Sequence, residues 1–219
     1  MYNKLMNYTL GKISQIALKN PEDIKTPDIL KLSFDEKIKL TENPNTSQET
    51  LRILATDEDW CVRCGVTRNP NTSQELLGVL ATDGNVYVRC GVAENPNTSQ
   101  ETLAILATDK NYWVRYWVAR NPNTSQETLS VLATDEDSGV SCGVAQHPNT
   151  SQETLAILAT DEDNAVRYWV ARNQNTSQES LTILATDEDS CVRQEVGRNP
   201  NATELIRRLV LMTDDEKNS

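Results

Sequence analysis

Phenylalanine and histidine each occur once in the 219 residues, and hydrophobic residues make up only 37%. Large aromatics are too scarce to fill one central core. No apolar stretch approaches the ~18 to 20 residues of a membrane span, so no membrane partner is expected. The segment MYNKLMNYTLGKISQIALKN lacks an uninterrupted apolar run, which argues against a signal peptide. A cytoplasmic location with reduced thiols is the expectation. The eight glycines do not cluster, which excludes a glycine-rich phosphate loop. A lone His147 makes Ser-His-Asp or Cys-His chemistry improbable, and the residue reads as a substitution in a turn. Positive charge is also short: 21 Lys and Arg face 32 Asp and Glu, for a net charge of -11. That balance opposes non-specific attraction to nucleic acid or anionic lipid, yet leaves room for a local basic strip.

What is present is a repeat. From Asn43 the chain reads NPNTSQETLRILATDEDWCVRCGVTR, and the pattern restarts at Asn69, Asn95, Asn121, His147 and Asn173. Six copies therefore occupy 43–198. A partial copy at Asn199 loses the pattern, and a degenerate one precedes Asn43 around Asn20-Pro21, Thr26 to Leu30 and Lys37 to Glu42. The expected organisation is an N-terminal capping region over 1–42, including a capping helix over 3–18, then the repeats, then a C-terminal cap over 199–219.

Each copy predicts two helical segments. Thr46 is expected to cap the first, with Glu49 reaching back in a capping box, and the pair recurs as far as Thr176/Glu179. The Thr-Asp-Glu-Asp stretch ends that helix, and its last Asp can cap a second segment of about eight residues, α or 3₁₀. Nothing alternates with period two, so no sheet is expected. Leu51, Ile53, Leu54, Val62 and Val66 are the expected buried aliphatics. Their burial alone does not offset the entropy of ordering a whole repeat, so copies must stack to fold.

The pattern NPNTSQETLAILATDEDxxVRxxVAR resembles the leucine-rich repeat variant family over Asn43 to Arg198. The resemblance implies an all-α, right-handed superhelical solenoid of alternating α and 3₁₀ helices without β-structure. The family's founding example carries an N-terminal iron–sulfur module held by clustered cysteines. Residues 1–60 contain no Cys, so that module is not carried over, and no cofactor is expected. HEAT repeats share the Val-Arg-x-x-Val-Ala element but are longer.

Between copies, variation concentrates on the two positions before Val-Arg and the two after it. Aromatics gather there as Tyr112, Trp113, Tyr116 and Trp117 in one copy and Tyr168 and Trp169 in another. Between them lies Ser138-Gly139-Val140-Ser141-Cys142-Gly143. Two readings stand: a partner-binding strip with a notch at the small residues, flanked by Arg115 and Arg167, or packing between layers in which the aromatics fill the gap.

Arg63, Arg89, Arg115, Arg167 and Arg193 share one repeat position. A guanidinium row can track phosphates, or it can pair with the repeated aspartates, which the acidic balance favours. Cys61, Cys64 and Cys90 form a weak metal signal, since structural zinc usually takes four ligands, and the Asp-Glu-Asp tracts recur as turns do. The sequence therefore points to a non-enzymatic scaffold for a protein or peptide, with nucleic acid as the second reading and no metal site.

Overall fold

The computed structural model describes residues 26–218, and every regular element among them is an α-helix. The expected capping helix over 3–18 lies outside the described residues. Helix α1 (Thr26–Ile29) and α2 (Phe34–Glu42) precede the repeats. Each copy then supplies a seven-residue and a nine-residue helix. The seven-residue helices are α3 (Gln48–Leu54), α5 (Gln74–Leu80), α7 (Gln100–Leu106), α9 (Gln126–Leu132), α11 (Gln152–Leu158) and α13 (Gln178–Leu184). The nine-residue helices are α4 (Trp60–Arg68), α6 (Val86–Glu94), α8 (Tyr112–Arg120), α10 (Ser138–Gln146), α12 (Asn164–Arg172) and α14 (Ser190–Arg198). Helix α15 (Glu204–Asn218) follows. The architecture is an all-α solenoid. The second segment is α-helical, not 3₁₀, because Asp or Asn caps give it a full first turn.

The contacts sort into two compact units, one through Thr102 and one from Leu103. In the first, α2 packs on α4 and α4 on α6. In the second, α8 packs on α10, α10 on α12, α12 on α14 and α14 on α15. The nine-residue helices thus form the dense side of each stack, and α3, α5, α9, α11 and α13 each lie against the nine-residue helix of their own copy.

Leu51, Leu54, Val62 and Val66, and their counterparts such as Leu129, Leu132, Val140 and Val144, are fully buried. Ile53 is not. It is half-buried, and its counterparts Val79, Ile105, Val131, Ile157 and Ile183 are exposed. At about 100° per residue, Ile53 sits about 200° round the helix from Leu51, on the opposite face.

The caps also differ from expectation. Ser47 is the N-cap, and its hydroxyl accepts from the Thr50 N–H; Ser73, Ser125, Ser151 and Ser177 repeat this. Thr46 instead turns inward and donates to the Leu40 carbonyl at 2.6 Å. Thr72, Thr98, Thr124, Thr150 and Thr176 do the same to the carbonyl six residues back, each at 2.6 Å. The threonine hydroxyl therefore closes the turn onto the previous helix. Asp59, Asn85, Asn111, Asp137, Asp163 and Asp189 cap the nine-residue helices, each accepting from the N–H two residues on.

Candidate functional site

The strip is built on a frame of buried polar ties. In the Asn-Pro-Asn turns, the first Asn is buried at Asn69, Asn95, Asn121 and Asn199, and Asn69 shows how it joins one copy to the one before. The Asn69 amide donates to the Thr41 and Asn43 carbonyls at 2.6 and 2.8 Å, and its oxygen accepts from the Asn71 N–H at 2.8 Å. Asn173 and Asn199 repeat the pattern on Ala145 and His147, and on Ala171 and Asn173. His147 takes the place of this Asn and reproduces part of its bonding. Its Nε2 meets the Asn121 carbonyl at 3.0 Å, and its Nδ1 accepts from the Asn149 N–H at 3.1 Å, so Nε2 carries the proton. Burial holds its pKa below the ordinary value, outweighing the Asn121 carbonyl.

The arginines form a second set of ties. Arg63 grips Asp83 of the next copy with two donors, at 2.7 and 3.0 Å. Arg115 grips Asp135 at 2.6 and 2.8 Å, and Arg167 grips Asp187 at 2.7 and 3.0 Å. The remaining NH1 of each donates back to its own loop, as Arg167 does to the Asp161 and Glu162 carbonyls. Arg193 closes on Asp214 in α15. The Arg63 guanidinium holds the Asp83 carboxyl below its usual range. Arg115 and Arg167, expected to flank a notch and touch a partner, are instead buried and engaged with their aspartates. Each guanidinium spends two donors on its aspartate and at least one more on a loop carbonyl, so it braces two copies and turns little of its charge outward. Arg63 is held in the same way, so these arginines are engaged within the stack. The tie is missing at Ser141, which stands where the other copies have Arg.

The four variable positions split into two classes. The pair before Val-Arg points out: Tyr112 is 40% exposed and Trp113 50%. The pair after it lies at the seam between copies. There, a side chain on Gly65 would meet the Thr41 hydroxyl at 2.2 Å, and one on Gly91 the Thr67 hydroxyl at 2.0 Å. A side chain on Gly143 would meet the Ala119 methyl at 3.0 Å, with Arg120 and Tyr116 at 3.6 and 3.7 Å. Tyr116 thus lies beside Gly143 at one end of the expected notch, while Ser138 and Gly139 at the other end are exposed. Trp117, Tyr168 and Trp169 are half-buried.

The aromatics of α8 form a continuous run: Tyr112 to Trp113 at 4.9 Å, Trp113 to Tyr116 edge-on at 5.7 Å, and Tyr116 to Trp117 at 5.5 Å. In α12, Tyr168 meets Trp169 edge-on at 5.3 Å. The cations on this surface are Arg120, 5.7 Å over the Tyr116 ring, and Arg172, 5.4 Å over Trp169. A depression of about 380 Å³ beside Trp169 is lined by Gln146, Pro148 and Arg172. Arg120 and Arg172 end the two aromatic helices four residues after Tyr116 and Tyr168, a spacing visible in the sequence.

Two consecutive stretches, 88–111 and 112–137, match the model of the leucine-rich repeat variant family. Those two stretches are thus similar to leucine-rich repeat variant repeats. A solved structure described as a leucine-rich repeat variant with a novel repetitive protein structural motif shares the fold. Its TM-score is 0.66 at 23% identity, over 91% of this chain and 84% of that one. No curated protein matches the sequence.

The stacked helix pairs make this chain a helical repeat structure. Among the described residues, no group of three His, Cys, Asp or Glu is placed to hold a metal ion, and no helix is long and apolar enough to cross a membrane. Cys64 is buried with its thiol 3.7 Å from the Tyr87 carbonyl. Burial and then Asp163, Asp161 and Asp137 push the Cys142 thiol up to about 11, so it stays protonated at neutral pH.

Proposed function

We propose that this chain is a non-enzymatic cytoplasmic scaffold that binds a protein or peptide through the aromatic strip of α8 and α12. The contact residues are Tyr112, Trp113, Tyr116, Trp117, Tyr168 and Trp169, with Arg120 and Arg172 as the cations. Residues 1–42 and 199–219 cap the six repeats in this reading. The observation that carries it is the exposure of Tyr112 and Trp113 beside Arg115, whose guanidinium is held by Asp135 of the next copy. Frame stability does not call for a half-exposed Trp, whereas such rings are favoured where a partner supplies the other face. Edge-to-face rings next to a guanidinium suit an extended peptide carrying aromatic or proline side chains.

The test is capture of a partner from an extract of the source cells, with and without nuclease. Tyr112→Ala/Trp113→Ala should abolish capture while leaving the melting temperature unchanged, because both rings face outward. Trp117→Ala/Trp169→Ala should weaken capture and also lower stability, because these rings lie at the seams. Capture lost on nuclease treatment would transfer the strip to single-stranded nucleic acid; capture unaffected by the exposed pair would end the proposal.

A further inference from the structure

The seven-residue helices carry a surface that the aromatic strip does not use. In the second unit, Ile105, Val131, Ile157 and Ile183 occupy one position in four consecutive copies. Each is more than half exposed, from 51% at Ile157 to 62% at Ile105. Packing does not account for them, since Leu129, Leu132, Leu155 and Leu158 complete the buried side of α9 and α11. Helix propensity does not either: a β-branched residue is a poorer choice than Ala, Lys or Gln on an exposed turn. Four water-facing aliphatics at the same place in successive layers make a row.

The row is edged by negative charge. Glu127, Glu153 and Glu179 lie four residues before Val131, Ile157 and Ile183, hence on the same face of each helix. All three are exposed. At the opposite end of α9 and α13 the loops carry Glu136 and Glu188, whose side chains are 89% and 86% exposed although one oxygen of each lies 3.5 and 3.4 Å from Arg115 and Arg167; the loop after α7 carries Lys110 instead. The exposed small residues Ser130, Ala156 and Thr182 lie beside the aliphatics and raise no wall against an approaching chain.

We propose that this aliphatic row, with its acidic margins, is a docking surface for a basic amphipathic helix from another protein. Its apolar side chains lie on Ile105, Val131, Ile157 and Ile183, and its Lys and Arg side chains meet the glutamates. Charge complementarity selects this occupant. A second copy of the chain would bring glutamate rows against each other at a net charge of -11 apiece, and an anionic lipid surface would be repelled in the same way. A helix with one apolar stripe flanked by cations meets both features of the surface at once.

The probe is a fluorescent Leu/Lys amphipathic peptide of roughly 14 residues, about four helical turns, titrated with the full chain and read by anisotropy. A peptide of the same composition, scrambled to destroy the apolar face, is the control. The amphipathic peptide should bind at least ~10-fold more tightly than the scrambled one. Val131→Ser/Ile157→Ser/Ile183→Ser should weaken it roughly 100-fold, and Glu127→Gln/Glu153→Gln/Glu179→Gln should flatten its salt dependence. The milder Ile157→Lys serves should the triple aliphatic variant lose its helical circular dichroism. Tyr112→Ala/Trp113→Ala should leave peptide affinity unchanged, which separates this surface from the aromatic strip. Equal binding of the two peptides, full affinity in the aliphatic variants, or a wild-type dimer that these variants dissolve would overturn the proposal.

Discussion

Helices α10 and α12 occupy equivalent places in consecutive copies, yet they are joined to their neighbours differently. In α12, Arg167 bridges to Asp187 of the next copy and to two carbonyls of its own loop. In α10 the same position is Ser141, buried and short. Where α12 ends on Asn173, whose amide serves two carbonyls, α10 ends on His147, whose ring meets one. At the seam α12 presents Trp169 and α10 presents Gly143. The stack survives all three changes because its ties are redundant: aliphatic packing, the Thr150 bond to Val144 and the Asn149 turn remain. Variation is thus absorbed by single ties, and the copy that gives up bulk and charge lies between the two aromatic helices.

The strongest challenge to this contrast is Arg167→Ala. It would strand the Asp187 carboxylate and two loop carbonyls, with an expected loss of about 3 kcal/mol in denaturant unfolding. Ser141→Ala should be nearly silent; similar losses at both sites would contradict the contrast.

A second comparison is between seams. Gly91→Ala drives a methyl into the Thr67 side chain, 2.0 Å away, and should destabilise by about 1–3 kcal/mol. Gly143→Ala meets the Ala119 methyl at 3.0 Å and should be the milder change. Thermal melts of the two variants would rank them.

Restoring the missing tie is a third measure. Ser141→Arg should reach Asp161 as Arg167 reaches Asp187 and raise stability by about 1 kcal/mol. A lowered midpoint would mean that α10 has repacked to exclude a guanidinium.

The smallest effect concerns pH. Folding keeps His147 neutral, so its pKa is depressed below the ordinary 6.5 of the unfolded chain. Between the two values the unfolded chain binds the extra proton. Stability tied to this ring is therefore complete above 6.5 and declines as pH falls toward the folded value. His147→Asn should remove that part of the slope in melts taken from neutral pH to about pH 5.

The stacked helices and the aspartate caps of the nine-residue helices were legible because they depend on residues within one turn of each other. Thr46 was misassigned for the same reason: its spacing to Glu49 fits a capping box, but a buried carbonyl six residues back competes for the hydroxyl and wins. The aromatic strip was visible as variation between copies. Its division into an exposed pair and a seam pair was not, since it depends on how closely α10 approaches α8.

From its sequence alone, this protein had to be a stack of thin helical layers: the Leu and Val spacing defines one apolar face per segment, and no segment can bury that face by itself. Tertiary structure alone decided what the polar framework does. The arginines reach aspartates 20 residues on, and the asparagines reach carbonyls 26 and 28 residues back. Those distances close only once copies are stacked in register. That stacking turns a possible cationic surface into internal bracing, and leaves aromatic and aliphatic side chains to meet whatever binds.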